Sequence, residues 1–200
     1  MASKKTILFP VVFMVLLTVV YTAILAFINE STTDIIKEQE NLRIKRSVLF
    51  VLNLPVSDDD EAVKTLYNEK ISEKETGDRI VYIYSEGGVV SGYAFAFTGT
   101  GLWGTISGYI GTAPDFSSLS GVDFISHSET PGLGGRIDEE WFKDQFRGIK
   151  INGDKTVIFK PADGGNADAV TGATLTSDSV RNMINDFVPE LSEIAKEANL

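Results

Sequence analysis

The sequence contains no cysteine and only one histidine, His127, among its 200 residues. The missing thiols exclude disulfides, thiolate nucleophiles, cysteine-ligated iron–sulfur clusters and haem attached through cysteine. A single imidazole also excludes a metal site built from several histidines, and we expect no metal. Redox chemistry in this chain would therefore require an organic cofactor.

Basic residues are scarce as well. Lys and Arg together number 18, against 28 Asp and Glu, which gives a formal net charge of -10 at pH 7. Because so acidic a surface repels phosphate backbones, we expect no nucleic-acid partner. The remaining composition, 43% hydrophobic and 23% charged, is typical of a globular protein, and the length suits one domain or one domain with an appendage.

Charged residues are absent from one long apolar segment, residues 6–28. At a rise of ~1.5 Å per residue this segment extends about 35 Å as a helix, enough to cross the hydrocarbon core of a bilayer. A cleaved signal peptide is the alternative. The apolar run is too long for that, and no A-x-A cleavage site follows it, so we predict that residues 1–28 form a cytoplasmic N-terminus and a transmembrane anchor.

The charges on either side of this segment predict its orientation. Lys4 and Lys5 precede it, whereas Glu30 and Asp34 follow it. Since positive charges stay on the cytoplasmic side, the N-terminus is expected in the cytoplasm. We therefore expect a single-pass protein of the cytoplasmic (inner) membrane whose main domain lies on the extracytoplasmic side.

The rest of the chain is predicted to form a neck and one domain. Residues 29–76 are expected to be a helical neck that is interrupted at Pro55. Residues 77–200 are predicted to be an α+β domain, a mainly antiparallel sheet with flanking helices. We expect strands at residues 79–85, 89–97, 105–110, 122–126 and 156–160, and helices at residues 138–146 and from Thr176 onward, the latter kinked at Pro189.

Glycine is concentrated in three passages, and the first is residues 99–104, GTGLWG. It matches the dinucleotide fingerprint G-x-G-x-x-G literally, but that fingerprint requires a helix immediately afterwards. A strand is predicted from Thr105, so we interpret the passage as a turn. Its Trp103 is either packed in the usual way or free to stack on a planar ligand.

The second passage is residues 127–135, HSETPGLGG. One proline and three glycines make a bent loop with little side-chain bulk, so a ligand could approach its backbone closely. Glu129 and Thr130 supply polar groups. By composition alone a plain strand-to-helix connection is favoured, and His127 is interpreted as a surface or core residue.

The third passage, residues 168–177, gathers small and hydroxyl residues at the start of the last predicted helix. A helix start presents free N–H groups and the positive end of the helix dipole, which together suit a phosphate group. An ordinary Thr/Ser helix cap explains the same composition, and from composition alone the cap is favoured.

Two of these passages carry a family resemblance. Residues 171–176, TGATLT, resemble the flavinylation motif [S/T]-G-A-T-x-[S/T], although Ser is commoner at the first position. With residues 129–134, ETPGLG, they resemble the FMN-binding subunits of two related ion-pumping complexes. These are the G subunit of the Rnf ferredoxin:NAD oxidoreductase and the C subunit of the sodium-translocating NADH:quinone reductase. The resemblance covers nearly the whole chain. Residues 101–103 favour the C subunit, whereas the short chain favours the Rnf subunit, and we expect an Rnf-type complex.

The resemblance implies an electron-transfer subunit of a translocase, with FMN joined through its phosphate to the side-chain oxygen of Thr176. It also implies two kinds of partner. One is a flavin transferase that installs the flavin from FAD, and the other is the remaining membrane subunits of the complex. Loop residues and Trp103 would cover the isoalloxazine ring, while Asp168 and Lys160 are further candidates. The full cofactor-binding set is Thr176, Thr171, Gly172, Ala173, Thr174, Leu175, Glu129, Thr130, Leu133, Gly134, Trp103, Asp168 and Lys160.

Alternatives to this interpretation stay open. The chain could be a cofactor-free, single-span scaffold subunit in which residues 171–176 only cap a helix. It could also bind a flavin without a covalent bond. A freestanding hydrolase is not expected, because no nucleophile–base pair can be recognised around the one histidine.

Overall fold

The structure, a computed structural model, describes residues 4–200. Residues 1–3 of the predicted cytoplasmic N-terminus lie outside the described residues, as do the side chains of Lys4 and Lys5, on which the predicted orientation depends. The chain divides into two compact units, Met1–Asn41 and Leu42–Leu200.

The first helix, α1, extends from Lys4 to Val51. From Leu8 onward it is long and apolar enough to cross a membrane, by length and composition. This agrees with the predicted anchor. The helix ends at Val51, slightly before the predicted interruption at Pro55.

The second helix, α2, spans Asp60–Lys70 and begins where the acidic run predicted a helix start. The side chain of Asp59 accepts a hydrogen bond from the Glu61 N–H at 3.2 Å, which caps the helix. Asp60 and Glu61 place negative charge at the positive end of the helix dipole.

A five-stranded antiparallel sheet follows, in which each strand pairs with its neighbour in sequence. This confirms the predicted fold class. Glycine-containing turns at residues 77–78, 87–88 and 101–104 separate the first four strands. The strands are β1 (Ile71–Thr76), β2 (Arg79–Glu86), β3 (Val89–Thr100), β4 (Thr105–Thr112) and β5 (Leu119–Ser126).

The sheet is covered on both faces. On β3, Tyr93, Phe95 and Phe97 face a large apolar core, while Ala94 faces a smaller one, as the alternation of a strand requires. The smaller core is completed by Val48, Leu49, Val51 and Leu52 at the end of α1 and by Val63 and Tyr67 of α2. The larger core is completed by the helices that follow the sheet.

Those helices are α3 (Glu140–Asp144), α4 (Thr174–Phe187) and α5 (Leu191–Glu197). Short 3-10 turns at Gly134–Asp138, Gly153–Lys155 and Val188–Glu190 connect them. Pro189 lies in the last of these turns, so the predicted kink separates α4 from α5. On α4, Val180, Met183, Ile184 and Phe187 point into the larger core.

One predicted strand is absent, and one observed strand lies outside the predictions. Residues 156–160 form no strand; the only pairing there is an isolated bridge between Phe159 and Ala167. The Asn185 side chain bonds the backbone N–H and C=O of Val157 at 2.8 and 2.9 Å, so an amide takes the place of a neighbouring strand. Strand β1, in contrast, was not predicted and lies within the range assigned to the helical neck.

Candidate functional site

A buried hydrogen bond joins two of the glycine-rich passages. Thr176, in the first turn of α4, donates its Oγ1 hydrogen to Oε2 of Glu129, in the loop after β5, at 2.6 Å. Thr176 is 1% exposed and Glu129 is 5% exposed. The structure therefore brings together the residue expected to carry the cofactor and the carboxylate of the second passage.

The turn between β3 and β4 brings in the remaining passage. Oε1 of Glu129 accepts hydrogen bonds from the backbone N–H groups of Leu102 and Trp103, at 2.8 and 3.1 Å. A buried carboxylate requires such donors, because burial without them costs several kcal/mol. Three passages that the sequence presents separately thus meet at one carboxylate, and the G-x-G-x-x-G match is confirmed as a turn followed by a strand.

His127 fixes the backbone of Glu129. Its Nδ1 accepts the Glu129 N–H at 3.1 Å, while its Nε2 lies 2.9 Å from Oδ2 of Asp138. Since Nδ1 accepts, Nε2 carries the ring hydrogen and donates it to Asp138. This role could not be predicted from the sequence, because no known sequence motif places a histidine against Glu129 and Asp138 in this way.

Glycine is required at the positions facing this pair. A Cβ at Gly134 would lie 2.5 Å from Thr176 Oγ1 and 2.8 Å from Glu129 Oε2, and a Cβ at Gly101 would lie 2.6 Å from Glu129 Oε1. Both positions are too close for real atoms. The resemblance predicts Gly134 as a site residue, whereas Gly101 and Leu102 are not among the predicted site residues.

The start of α4 has no side-chain cap. Its N-cap residue is Ala173, and no side chain accepts a hydrogen bond there. Ser177 instead accepts from the Val170 N–H at 2.9 Å and donates to the Ala173 carbonyl at 3.0 Å, which fixes how the chain enters the helix. The Thr/Ser cap that composition favoured is therefore wrong, and the first N–H groups of α4 are available to an anion.

Exposed apolar side chains surround the pair. Leu102 and Trp103 are 46% and 66% exposed, Leu133 is 47% exposed and Leu175 is 63% exposed. Leu133 also approaches Gly172, whose φ of +79° suits glycine. These exposed apolar side chains offer a surface against which a flat aromatic ring can pack. The residues present therefore fit a phosphate at α4 and a ring against these side chains.

The other predicted polar site residues have no described hydrogen bond to the Glu129 carboxylate. Lys160 and Asp168 form an exposed ion pair at 3.2 Å, and the described contacts link neither of them to Glu129 or Thr176. Thr171 and Thr174 are exposed. The Thr130 carbonyl accepts from the N–H groups of Leu133 and Gly135 at 3.1 and 2.9 Å and so closes the loop.

An ion pair fixes the far end of the loop. The Arg136 guanidinium bonds both carboxylate oxygens of Glu139, at 3.0 and 3.1 Å. This hydrogen-bonded partner lowers the pKa of Glu139 below its ordinary value, and the Trp141 indole N–H adds a further bond to the same carboxylate. The pair holds the 3-10 turn that begins at Gly134 in position.

Comparisons with known proteins place these residues in a family. The FMN-binding domain family matches residues 101–188, a range that contains every predicted site residue. The G subunit of the ion-translocating oxidoreductase complex of Methanosarcina acetivorans is 31% identical over 196 residues, covering 96% of this chain and 98% of that protein. The chain belongs to this G-subunit family. The match to the FMN-binding domain supports FMN as its cofactor.

A second group of relatives matches a shorter part. The C subunit of the Na(+)-translocating NADH-quinone reductase of Pasteurella multocida is 33% identical over 110 residues, which cover 52% of this chain and 42% of that protein. The chain thus matches less than half the length of this relative. The predicted resemblance to both families is confirmed.

Solved structures share the fold. The crystal structure of Shewanella oneidensis NqrC covers 82% of this chain and 99% of that chain, with a TM-score of 0.69 and 19% identity. The crystal structure of the C subunit of the Na(+)-translocating NADH-quinone reductase of Parabacteroides distasonis is also similar. The match covers 80% of this chain and 95% of that chain, with a TM-score of 0.67 and 28% identity.

Proposed function

We propose that this chain is a membrane-anchored flavoprotein subunit that carries FMN as a phosphoester on Thr176 and relays electrons within an ion-translocating oxidoreductase complex. The observation that carries this proposal is the position of the Thr176 hydroxyl, in the uncapped first turn of α4 and hydrogen-bonded to Glu129. The match of residues 101–188 to an FMN-binding domain supports it.

Each part of the site would contribute a different interaction. The free N–H groups and the positive dipole end of α4 would bind the phosphodiester, and Gly172 leaves room beside them. Leu133, Leu175 and Trp103 would contact the ring and limit its exposure to water. The bound flavin supplies the electron chemistry, and the protein fixes its position and its electrostatic surroundings.

An Rnf-type complex is the better candidate for its assembly. The alignment with the G subunit runs over nearly the full length of both chains, whereas the alignment with the quinone reductase relative covers 42% of that protein. A quinone reductase complex is the second candidate, supported by the 33% identity to the C subunit of Pasteurella multocida over the matched part. Copurification of the tagged full chain with its neighbouring membrane proteins distinguishes the two.

We also propose that α1 anchors the chain with its N-terminus in the cytoplasm, so that the flavin domain and the flavin transferase are extracytoplasmic. The absence of cysteine offers a direct test, because an introduced Asp163→Cys thiol would be unique and exposed. A membrane-impermeant maleimide should label it in cells whose cytoplasmic membrane is intact. Labelling only after that membrane is broken would contradict the proposed orientation.

The covalent bond is tested by flavin fluorescence on a denaturing gel, after expression of the full chain with a flavin transferase. The unchanged chain and the control Thr65→Val, an exposed helical threonine outside the site, should both fluoresce. Thr176→Val should be dark. Fluorescence of Thr176→Val would contradict the attachment site, and a dark unchanged chain would favour the cofactor-free scaffold.

A further inference from the structure

The Glu129 carboxylate lies directly against the Thr176 hydroxyl. Its Oε2 accepts the hydrogen of the Thr176 hydroxyl at 2.6 Å, and both side chains are buried. We propose, on the basis of the proposed function, that Glu129 is the general base that takes the Thr176 proton when the flavin is attached. The acceptor protein would thus supply part of the catalysis of its own modification.

The carboxylate is held in the orientation that this role needs. The two N–H groups of Leu102 and Trp103 bond Oε1 and leave Oε2 directed at Thr176. A candidate base must lie within hydrogen-bond distance of the proton that it removes, about 2.6–3.2 Å, and Oε2 meets that requirement. No rearrangement of Glu129 is needed before the proton moves.

Neighbouring groups do not compete for this proton. His127 Nδ1 is already occupied by the Glu129 N–H, and the Asp168 carboxylate is paired with Lys160. Among the described residues 4–200, the acceptor of the hydrogen bond that Thr176 Oγ1 donates is Glu129 Oε2. The Thr176 hydroxyl therefore has one described acceptor for its hydrogen, and that acceptor is the Glu129 carboxylate.

The reaction balances without any redox step. Thr176 Oγ1 attacks the FMN phosphorus of FAD, and an O–P bond forms while the phosphoanhydride bond to AMP breaks. AMP leaves with the electron pair of that bond. The hydroxyl proton passes to Glu129 Oε2 and from there to water or to a group of the transferase.

The same contact explains a choice among hydroxyls. Thr171 and Thr174 lie in the same motif and are exposed, so access alone would favour them over the buried Thr176. Among the described contacts, no carboxylate accepts a hydrogen bond from either of them. A fixed base beside Thr176 selects that residue for the reaction in spite of its burial.

The test is a time course of flavinylation with purified full-length acceptor, purified flavin transferase and FAD, read by intact mass at several acceptor concentrations. Glu129→Gln is the central variant, because its amide oxygen can still accept from Leu102 and Trp103 while its NH2 group cannot act as a base. Asp178→Asn is the matched control, a carboxylate on α4 that pairs with Arg181.

We expect Glu129→Gln to lower the maximal flavinylation rate about a hundredfold or more, with the KM for the acceptor unchanged. Asp178→Asn should react at the parental rate. An equally fast Glu129→Gln variant, or a loss that lies entirely in KM, overturns the inference. If the unchanged chain gains no mass, both this inference and the proposed function fail.

Chemical rescue separates the base from a structural role. Glu129→Ala removes the carboxylate, and added formate can enter the space left and accept the proton. We expect formate, but not chloride at the same ionic strength, to restore part of the lost rate. A folded Glu129→Ala protein that formate does not accelerate, together with a fast Glu129→Gln protein, contradicts the proposal.

Discussion

Thr176 Oγ1 lies 2.6 Å from Glu129 Oε2, although 47 positions separate the two residues in the chain. The bond links the start of α4 to the loop after β5, and it does so through two side chains that are almost fully buried. The proposed attachment therefore uses a contact on which the stability of the fold should also depend.

The first prediction concerns the unmodified protein, expressed without a transferase. Thr176→Val removes the hydroxyl donor and leaves Glu129 Oε2 buried without it, which should lower the free energy of unfolding by about 1–3 kcal/mol. The exposed Thr65→Val control should change it by less than about 0.5 kcal/mol. Urea denaturation of both full-length variants measures the difference, and equal stabilities would contradict the burial of this bond.

The second prediction concerns Gly134. An alanine Cβ there would lie 2.5 Å from Thr176 Oγ1, so Gly134→Ala must displace the hydroxyl or the loop. We expect a loss of about 1–3 kcal/mol in stability and a strong reduction in flavinylation. In Gly135→Ala the nearest contact is the Thr130 carbonyl at 3.2 Å, and this control should be modified much faster. Equal flavinylation rates of the two variants would show that the close approach of Gly134 to Thr176 is unimportant for the reaction.

The third prediction compares two replacements of His127. In His127→Asn the side-chain oxygen can still accept the Glu129 N–H, as Nδ1 does, whereas His127→Gln can reach Asp138 but loses that acceptor. If the bond to Glu129 is the important one, His127→Asn should be flavinylated faster than His127→Gln. Mass-detected rates of the two purified proteins decide this, and the reverse order would assign the role to the Asp138 contact.

Much of this architecture could be predicted from the sequence, because local patterns determine it. The uncharged run at residues 6–28, the alternation within residues 79–97 and the glycine turns each act over a few neighbouring positions. Strand β1, ISEKET, is polar and lies at the edge of the sheet, so it lacks the apolar alternation by which strands are recognised.

The errors have non-local causes. Residues 156–160 have strand-like composition, yet the amides of Asn166 and Asn185 bond their backbone groups from positions 8 to 28 residues away. The motif predicted Thr176 as the attachment residue, a prediction that the experiments above test. Its contact with Glu129, and the two N–H donors behind it, depend on how distant loops meet in the fold.

The fourth prediction tests how the end of α1 packs on the sheet within the unit Leu42–Leu200. A Cβ at Gly111 on β4 would lie 2.2 Å from the Val51 carbonyl oxygen. Because backbone atoms cannot move aside easily, Gly111→Ala should destabilise the protein by about 3 kcal/mol. Thr105→Ala, at the exposed start of the same strand, is the control. Thermal unfolding measures the difference, and equal midpoint temperatures for the two variants would contradict this packing.

The most direct measurement of the central claim is the intact mass of the denatured full-length protein, coexpressed with a flavin transferase. We expect a gain equal to FMN less one water in the unchanged chain and in Thr176→Ser, and no gain in Thr176→Val. An unmodified mass for the unchanged chain in a host that flavinylates a known acceptor would contradict covalent attachment. The same gain in Thr176→Val would contradict Thr176 as the site.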